Sequence, residues 1–144
     1  MKKKIFIILL AVLVGAILSF VTLYHYQKKD RVTVDETLTI LQTGIYKDYQ
    51  NALKEQSKVD GSIILKESDY YVVIAGASTS SAGLTKLESM LNNQGIHYYK
   101  KEKTLNITSD LKKYNMLLDK TVDQKSISLL NQKILESINN EYLN

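Results

Sequence analysis

The stretch from Tyr70 to Lys103, YYVVIAGASTSSAGLTKLESMLNNQGIHYYKKEK, decides how the rest of the chain is read. It opens with Tyr70-Tyr71-Val72-Val73-Ile74-Ala75, an apolar run of aromatic and β-branched residues that predicts a strand buried on both faces. Gly76-Ala77-Ser78-Thr79-Ser80-Ser81 turns the chain, and Ser80 or Ser81 is placed to cap a helix. Leu84, Leu87 and Leu91 then recur at helical spacing, with Met90 beside them, so one stripe faces a core. Gly95 stops that helix, because glycine enters the left-handed conformation without steric cost. A second strand, Ile96 to Tyr99, is expected to end in Lys100-Lys101-Glu102-Lys103. Strand, helix and strand in this compass form a βαβ unit.

An earlier stretch has the same grammar. Thr37 to Tyr46 is strand-like. Lys47 to Lys58 reads as a short helix with Asp48 as cap and Tyr49, Ala52 and Leu53 inward, and Gly61 to Lys66 is a further strand. Gln42-Thr43-Gly44-Ile45-Tyr46 can be laid over Ile74-Ala75-Gly76-Ala77-Ser78, each with a glycine where strand turns into helix. With Glu67-Ser68-Asp69 as the hairpin turn, two halves give β-α-β-β-α-β.

Strand, Gln-x-Gly-x-aromatic, helix, polar turn and a second copy resemble the sporulation-related repeat (SPOR) family over roughly Thr37 to Lys103. The resemblance implies an α+β, ferredoxin-like sheet domain that binds bacterial peptidoglycan, chiefly glycan strands stripped of their peptides. It also implies ligand-binding positions at Gln42, Gly44, Tyr46, Ile74 and Gly76. Ile74 departs from the motif, which places a polar residue there. The cysteine-free, Lys/Asn/Ile/Tyr-rich chain with an N-terminal anchor and helical tail is similar to membrane-bound members from spore-forming low-GC bacteria.

Charge is divided unevenly. Residues 1–31 carry six Lys or Arg against one Asp, a net +5, whereas residues 32–144 carry 13 Lys against 14 Asp and Glu, a net −1. The basic balance therefore belongs to the flanks of an apolar segment, and the remainder has no global attraction for nucleic acid. Ile5 to Tyr24 is twenty residues without a charge, about 30 Å as a helix, which matches the hydrocarbon core of a bilayer. It is longer than the apolar core of a signal peptide, and no Ala-x-Ala-like site follows it. The expectation is a single-pass anchor with the N-terminus cytoplasmic and the domain extracytoplasmic. Residues 1–31 are then stub, anchor and basic flank, 32–106 the SPOR-like domain, and 107–144 a helical extension.

Strand parity puts Gln42, Gly44 and Tyr46 on one face with Leu38 and Ile40, and Leu41 and Ile45 on the other. Tyr70, Val72, Ile74 and Gly76 align with the Gln42 face. A sheet this apolar on both sides is usually covered on both. The tail supplies candidates for the cover. Ser109-Asp110 can cap a helix bearing Leu111, Tyr114, Leu117 and Leu118, and Asp123 a second one bearing Ile127, Leu130, Ile134 and Ile138.

Gln42 and Tyr46 have the chemistry of a carbohydrate site, an amide beside an aromatic ring. The plainer reading has Gln42 bonding backbone and Tyr46 packing on the first helix. Tyr70, Tyr98 and Tyr99 suit strand packing, Ser78 to Ser81 suits capping, and Lys100 to Lys103 suits a solvated edge. Carboxylates at Asp60, Glu67 and Asp69 suit a turn. His25 and His97 have no ligand spacing around them, no glycine-rich phosphate loop is present, and no acid/base constellation appears. The expectation is a non-enzyme without metal or cofactor. It binds peptidoglycan glycan strands in division or sporulation, or else an envelope protein through its sheet or tail.

Overall fold

The computed structural model describes Gly15, Ser19 and residues 34–142, with only the backbone of Val34. The chain divides into two compact units, Met1–Val32 and Thr33–Asn144. In the first, Gly15 and Ser19 are helical, and the Ser19 hydroxyl donates to the Gly15 carbonyl at 2.9 Å. The expected anchor otherwise lies outside the described residues. Among those residues no helix is long and apolar enough to cross a membrane.

The second unit runs β1 (Val34–Tyr46), α1 (Tyr49–Gln56), β2 (Ile63–Glu67), β3 (Tyr70–Ser78), α2 (Ser81–Asn93), β4 (Tyr99–Ile107), α3 (Ser109–Lys120) and α4 (Gln124–Tyr142). The four strands form one antiparallel sheet in the order β2-β3-β1-β4. Each βαβ half is thus split by a strand of the other half, the ferredoxin-like interleaving expected of β-α-β-β-α-β.

Local chemistry accounts for the boundaries. Asp48, Ser80 and Thr108 each accept a bond from the backbone N–H three residues on, and Asp123 accepts from Ser126 in the same way. Thr108 therefore caps α3, and Ser109 is its first residue rather than its cap. Gly95 sits at φ +70° just past α2, where a side chain would be strained. The two-residue turn Ser68-Asp69 holds Ser68 at φ +52°.

Two expectations about the strands need correction. The last strand is Tyr99–Ile107 rather than Ile96–Tyr99, so Lys100 to Lys103 belong to its body. The cause is tertiary: β1 begins at Val34, and its first nine residues offer a continuous ladder from Val34↔Ile107 to Gln42↔Tyr99. Strict parity along β1 also fails. The β1–β3 register breaks between Leu41 and Gln42 and again between Gln42 and Gly44. Gln42 lies opposite Ile74, while Gly44 lies opposite Val73. Consecutive residues of β3 point to opposite faces, so Gln42 and Gly44 do not share a face.

One face carries Leu38, Ile40, Gln42, Val72, Ile74, Leu65, Lys101 and Lys103. The other carries Gly44, Tyr46, Tyr71 and Val73, and α1 and α2 lie on it, since Tyr71 meets Tyr49 and Lys100 pairs with Glu88. Val72 to Ser78 are all buried in succession, which requires cover on both faces. On the Gln42 face the cover is α4, whose Ile127, Ile134, Leu135 and Ile138 are buried and whose Tyr142 ring lies 4.4 Å from the Lys103 ammonium. In α1 only Ala52 is buried, and Tyr49 and Leu53 stay substantially exposed, against the inward placement expected of all three.

Candidate ligand-binding surface

The motif positions do not form one surface. Gln42 is 7% exposed, and its Oε1 is buried with no hydrogen-bond partner among the described residues. Ile74, opposite it, is fully buried. Gly76 lies where a Cβ would come within 3.4 Å of both Leu87 of α2 and Asn131 of α4. On the other face the Tyr46 ring lies over Gly44, where a Cβ would stand 2.5 Å from its hydroxyl oxygen. Burial raises the pKa of the Tyr46 hydroxyl, and the Glu55 carboxylate it bonds raises it further. Tyr46 therefore packs on α1, while Gln42 closes under α4.

The Ser78 to Ser81 run builds a junction. The Ser78 hydroxyl and the Thr79 N–H both donate to Asn115 Oδ1, at 3.1 and 3.0 Å. Asn115 in turn donates to the Leu111 carbonyl at 2.9 Å. The Ser80 side chain accepts from Gly83 N–H and donates to Asp119. Lys86 donates to the carbonyls of Leu118, Asp119 and Thr121, closing the C-terminal end of α3. These hydroxyls are structural: they bind α3 to the end of β3 and the start of α2.

A cavity of about 180 Å³ lies between α1, β2 and the end of α4. Tyr49, Tyr71 and Tyr142 line it together with Ile64, Leu65 and Lys66 of β2 and Asn139 of α4. Tyr49 and Tyr71 meet edge to face, with centroids 5.3 Å apart and planes at 64°. In the sequence Tyr49 and Tyr71 read as packing residues, and nothing marks Lys66, Asn139 or Tyr142 as belonging to a site. Asn139 and Tyr142 are three apart on α4 and so share a flank, but which strand they meet depends on where α4 docks. Among the described residues no three His, Cys, Asp or Glu side chains converge as a metal site requires.

No protein-family model matches the chain, and no curated protein matches it. Among solved structures it is similar to the solution structure of the peptidoglycan-binding domain of the B. subtilis cell wall lytic enzyme CwlC. That likeness has 25% sequence identity and a TM-score of 0.43, over 49% of this chain and 95% of that one.

Proposed function

We propose that the chain is an envelope protein that binds peptidoglycan through a SPOR-like domain, tethered by Ile5 to Tyr24 and acting outside the cytoplasm in division or sporulation. The observation that carries this reading is the β2-β3-β1-β4 sheet built from two βαβ halves, with Gln42-x-Gly44-x-Tyr46 closing the first strand. That is the arrangement the SPOR resemblance implies. α4 is part of the fold rather than an appendage, so the ligand is taken with α4 in place. The test is co-sedimentation of the full-length chain in detergent micelles with purified sacculi, before and after an amidase strips the stem peptides. Binding that rises on peptide removal supports the reading, and a folded chain that stays in the supernatant overturns it.

A second reading has its own observation. The Gln42 face is closed by α4, and Met116, Leu117, Val122 and Leu129 of the helical tail are exposed. This favours a protein-interaction module of an envelope complex with no glycan ligand. A chain that ignores sacculi and co-purifies with a membrane protein from the native envelope is the result that reading requires.

A further inference from the structure

We infer that the exposed face of α3 docks on a bilayer surface carrying anionic lipid, an inference that rests on the membrane tether proposed above. What the outer face of the helix carries and where the fold puts it both point there.

Leu111, Asn115 and Leu118 turn α3 inward. Around the opposite side, at 3.6 residues per turn, Lys112, Met116, Lys120, Lys113 and Leu117 follow one another through an arc of about 140°. All five are exposed, with Met116 at 53% and Leu117 at 43%. Asp110 and Asp119 flank the arc, and no acid falls within it. Asp119 is engaged by the Ser80 hydroxyl. Val122, two residues beyond the helix, is 90% exposed. Lysines interleaved with apolar side chains suit a helix lying in a membrane interface, where apolar groups sink in and ammonium groups stay at the head groups. So short a helix would hold a free protein on a bilayer only weakly. A tether changes that by making the encounter intramolecular.

The fold supplies the placement. β1 begins at Val34, opposite Ile107 at the end of β4, and Thr108 caps α3 at the next residue. α3 therefore starts at the end of the sheet where the chain enters the domain. The Lys112 ammonium lies 3.6 Å from the Glu36 carboxylate, which ties the basic face to the first residues of β1. Nine residues, 25–33, separate Tyr24 from Val34, and fully extended they reach about 30 Å. That is short enough to keep α3, with 12 residues and about 18 Å of length, close to the surface from which the chain emerges. Docking in this way gives Met116 and Leu117 to lipid, where the second reading above gives them to a protein.

The chain has no cysteine, so single labelling sites can be introduced cleanly. The full-length chain is reconstituted in phosphatidylcholine nanodiscs, with or without phosphatidylglycerol, that contain a nitroxide-bearing lipid. A bimane label is placed at Met116→Cys, Leu117→Cys or, on α1, Asn51→Cys, all exposed positions, and thermal midpoints are checked. With phosphatidylglycerol present, the two α3 labels are expected to be quenched several-fold more than the α1 label, and the contrast to shrink without it. Lys113→Gln combined with Lys120→Gln lowers the docked-to-free ratio about twenty-fold, at about five-fold per lysine. Equal quenching at the three sites overturns the docking, as does quenching that ignores both the anionic lipid and the two lysines. Labels that stay unquenched in nanodiscs and become shielded only in native membranes overturn it in favour of a protein partner. A chain that elutes apart from the nanodiscs removes the tether and the docking together, whereas one that co-elutes with its α3 labels unquenched removes the docking alone.

Discussion

Lys103 of β4 and Glu67 of β2 form an ion pair across the Gln42 face, although their strands are the two opposite edges of the sheet. Lys101 reaches the same carboxylate at 3.4 Å. The sheet must therefore coil toward this face, and the two register breaks in the middle of β1 are where such a bend is accommodated. The Tyr142 ring packs against Lys103 inside that curl, so the pair helps hold the end of α4 against the sheet.

Titration of this pair is expected to appear in stability. The Lys103 hydrogen bond, opposed by burial and aided by the charges of Lys103 and Lys101, lowers the Glu67 pKa below its ordinary 4.5. A lowered carboxylate contributes stability that is complete above about pH 4.5 and is lost as pH falls through the folded value. The thermal midpoint of wild type is expected to exceed that of Glu67→Gln near neutrality, and the gap to close on acidification. A gap constant from pH 3 to 7 would mean that the carboxylate charge is not what acts.

Gly83 has no room for a methyl group. A Cβ there would stand 2.5 Å from Ser78 Oγ, 3.0 Å from Asp119 Oδ1 and 3.1 Å from Leu118. Ser78 is buried and bonded to Asn115, so it cannot retreat cheaply. Gly83→Ala is expected to cost about 1–3 kcal/mol in denaturant unfolding despite the better helix propensity of alanine.

Asn131 meets the backbone of β3 where the ladder skips a residue. Leu41 pairs with Gly76 and Gln42 with Ile74, which leaves Ala75 between them. The Asn131 amide donates to the Ala75 carbonyl at 2.8 Å. Asn131→Ala strips that buried acceptor, with an expected loss of about 1–3 kcal/mol. Hydrogen exchange in α4 should quicken in the same variant.

Gln42 behaves in the opposite way. Its buried Oε1 has no partner among the described residues, and an orphaned acceptor is unfavourable. Gln42→Met keeps the length and removes the amide with its orphaned oxygen, so the thermal midpoint should stay level or rise. A clear fall would mean that Gln42 is bonded in solution.

The parts of the fold legible in the sequence are those set by neighbours along the chain. The Tyr70 to Ala75 run, the caps at Asp48, Ser80 and Asp123, the Ser68 turn and Gly95 each carry their own local cause. β4 was not legible, because YKKEKTLNI reads as solvated. It is a strand because β1 offers it a partner, and only Lys103, Leu105 and Ile107 turn toward the core. The split of Gln42 from Gly44 and Tyr46 was hidden for a related reason. A one-residue break in register inverts parity, and nothing in Gln42-Thr43-Gly44 announces it. The cavity is not legible in the sequence because Lys66 and Tyr142 lie 76 residues apart and line one cavity only once α4 docks.

The central claim is that glycan is bound while α4 stays over the Gln42 face. Hydrogen–deuterium exchange of the full-length chain, with and without a peptide-free tetrasaccharide of alternating N-acetylglucosamine and N-acetylmuramic acid, tests it most directly. The account predicts slower exchange within the sheet domain on adding the ligand, with protection of Ile134 to Ile138 kept. Faster exchange in α4 together with new protection at Gln42 would contradict it, since the ligand would then displace the helix and occupy the face beneath.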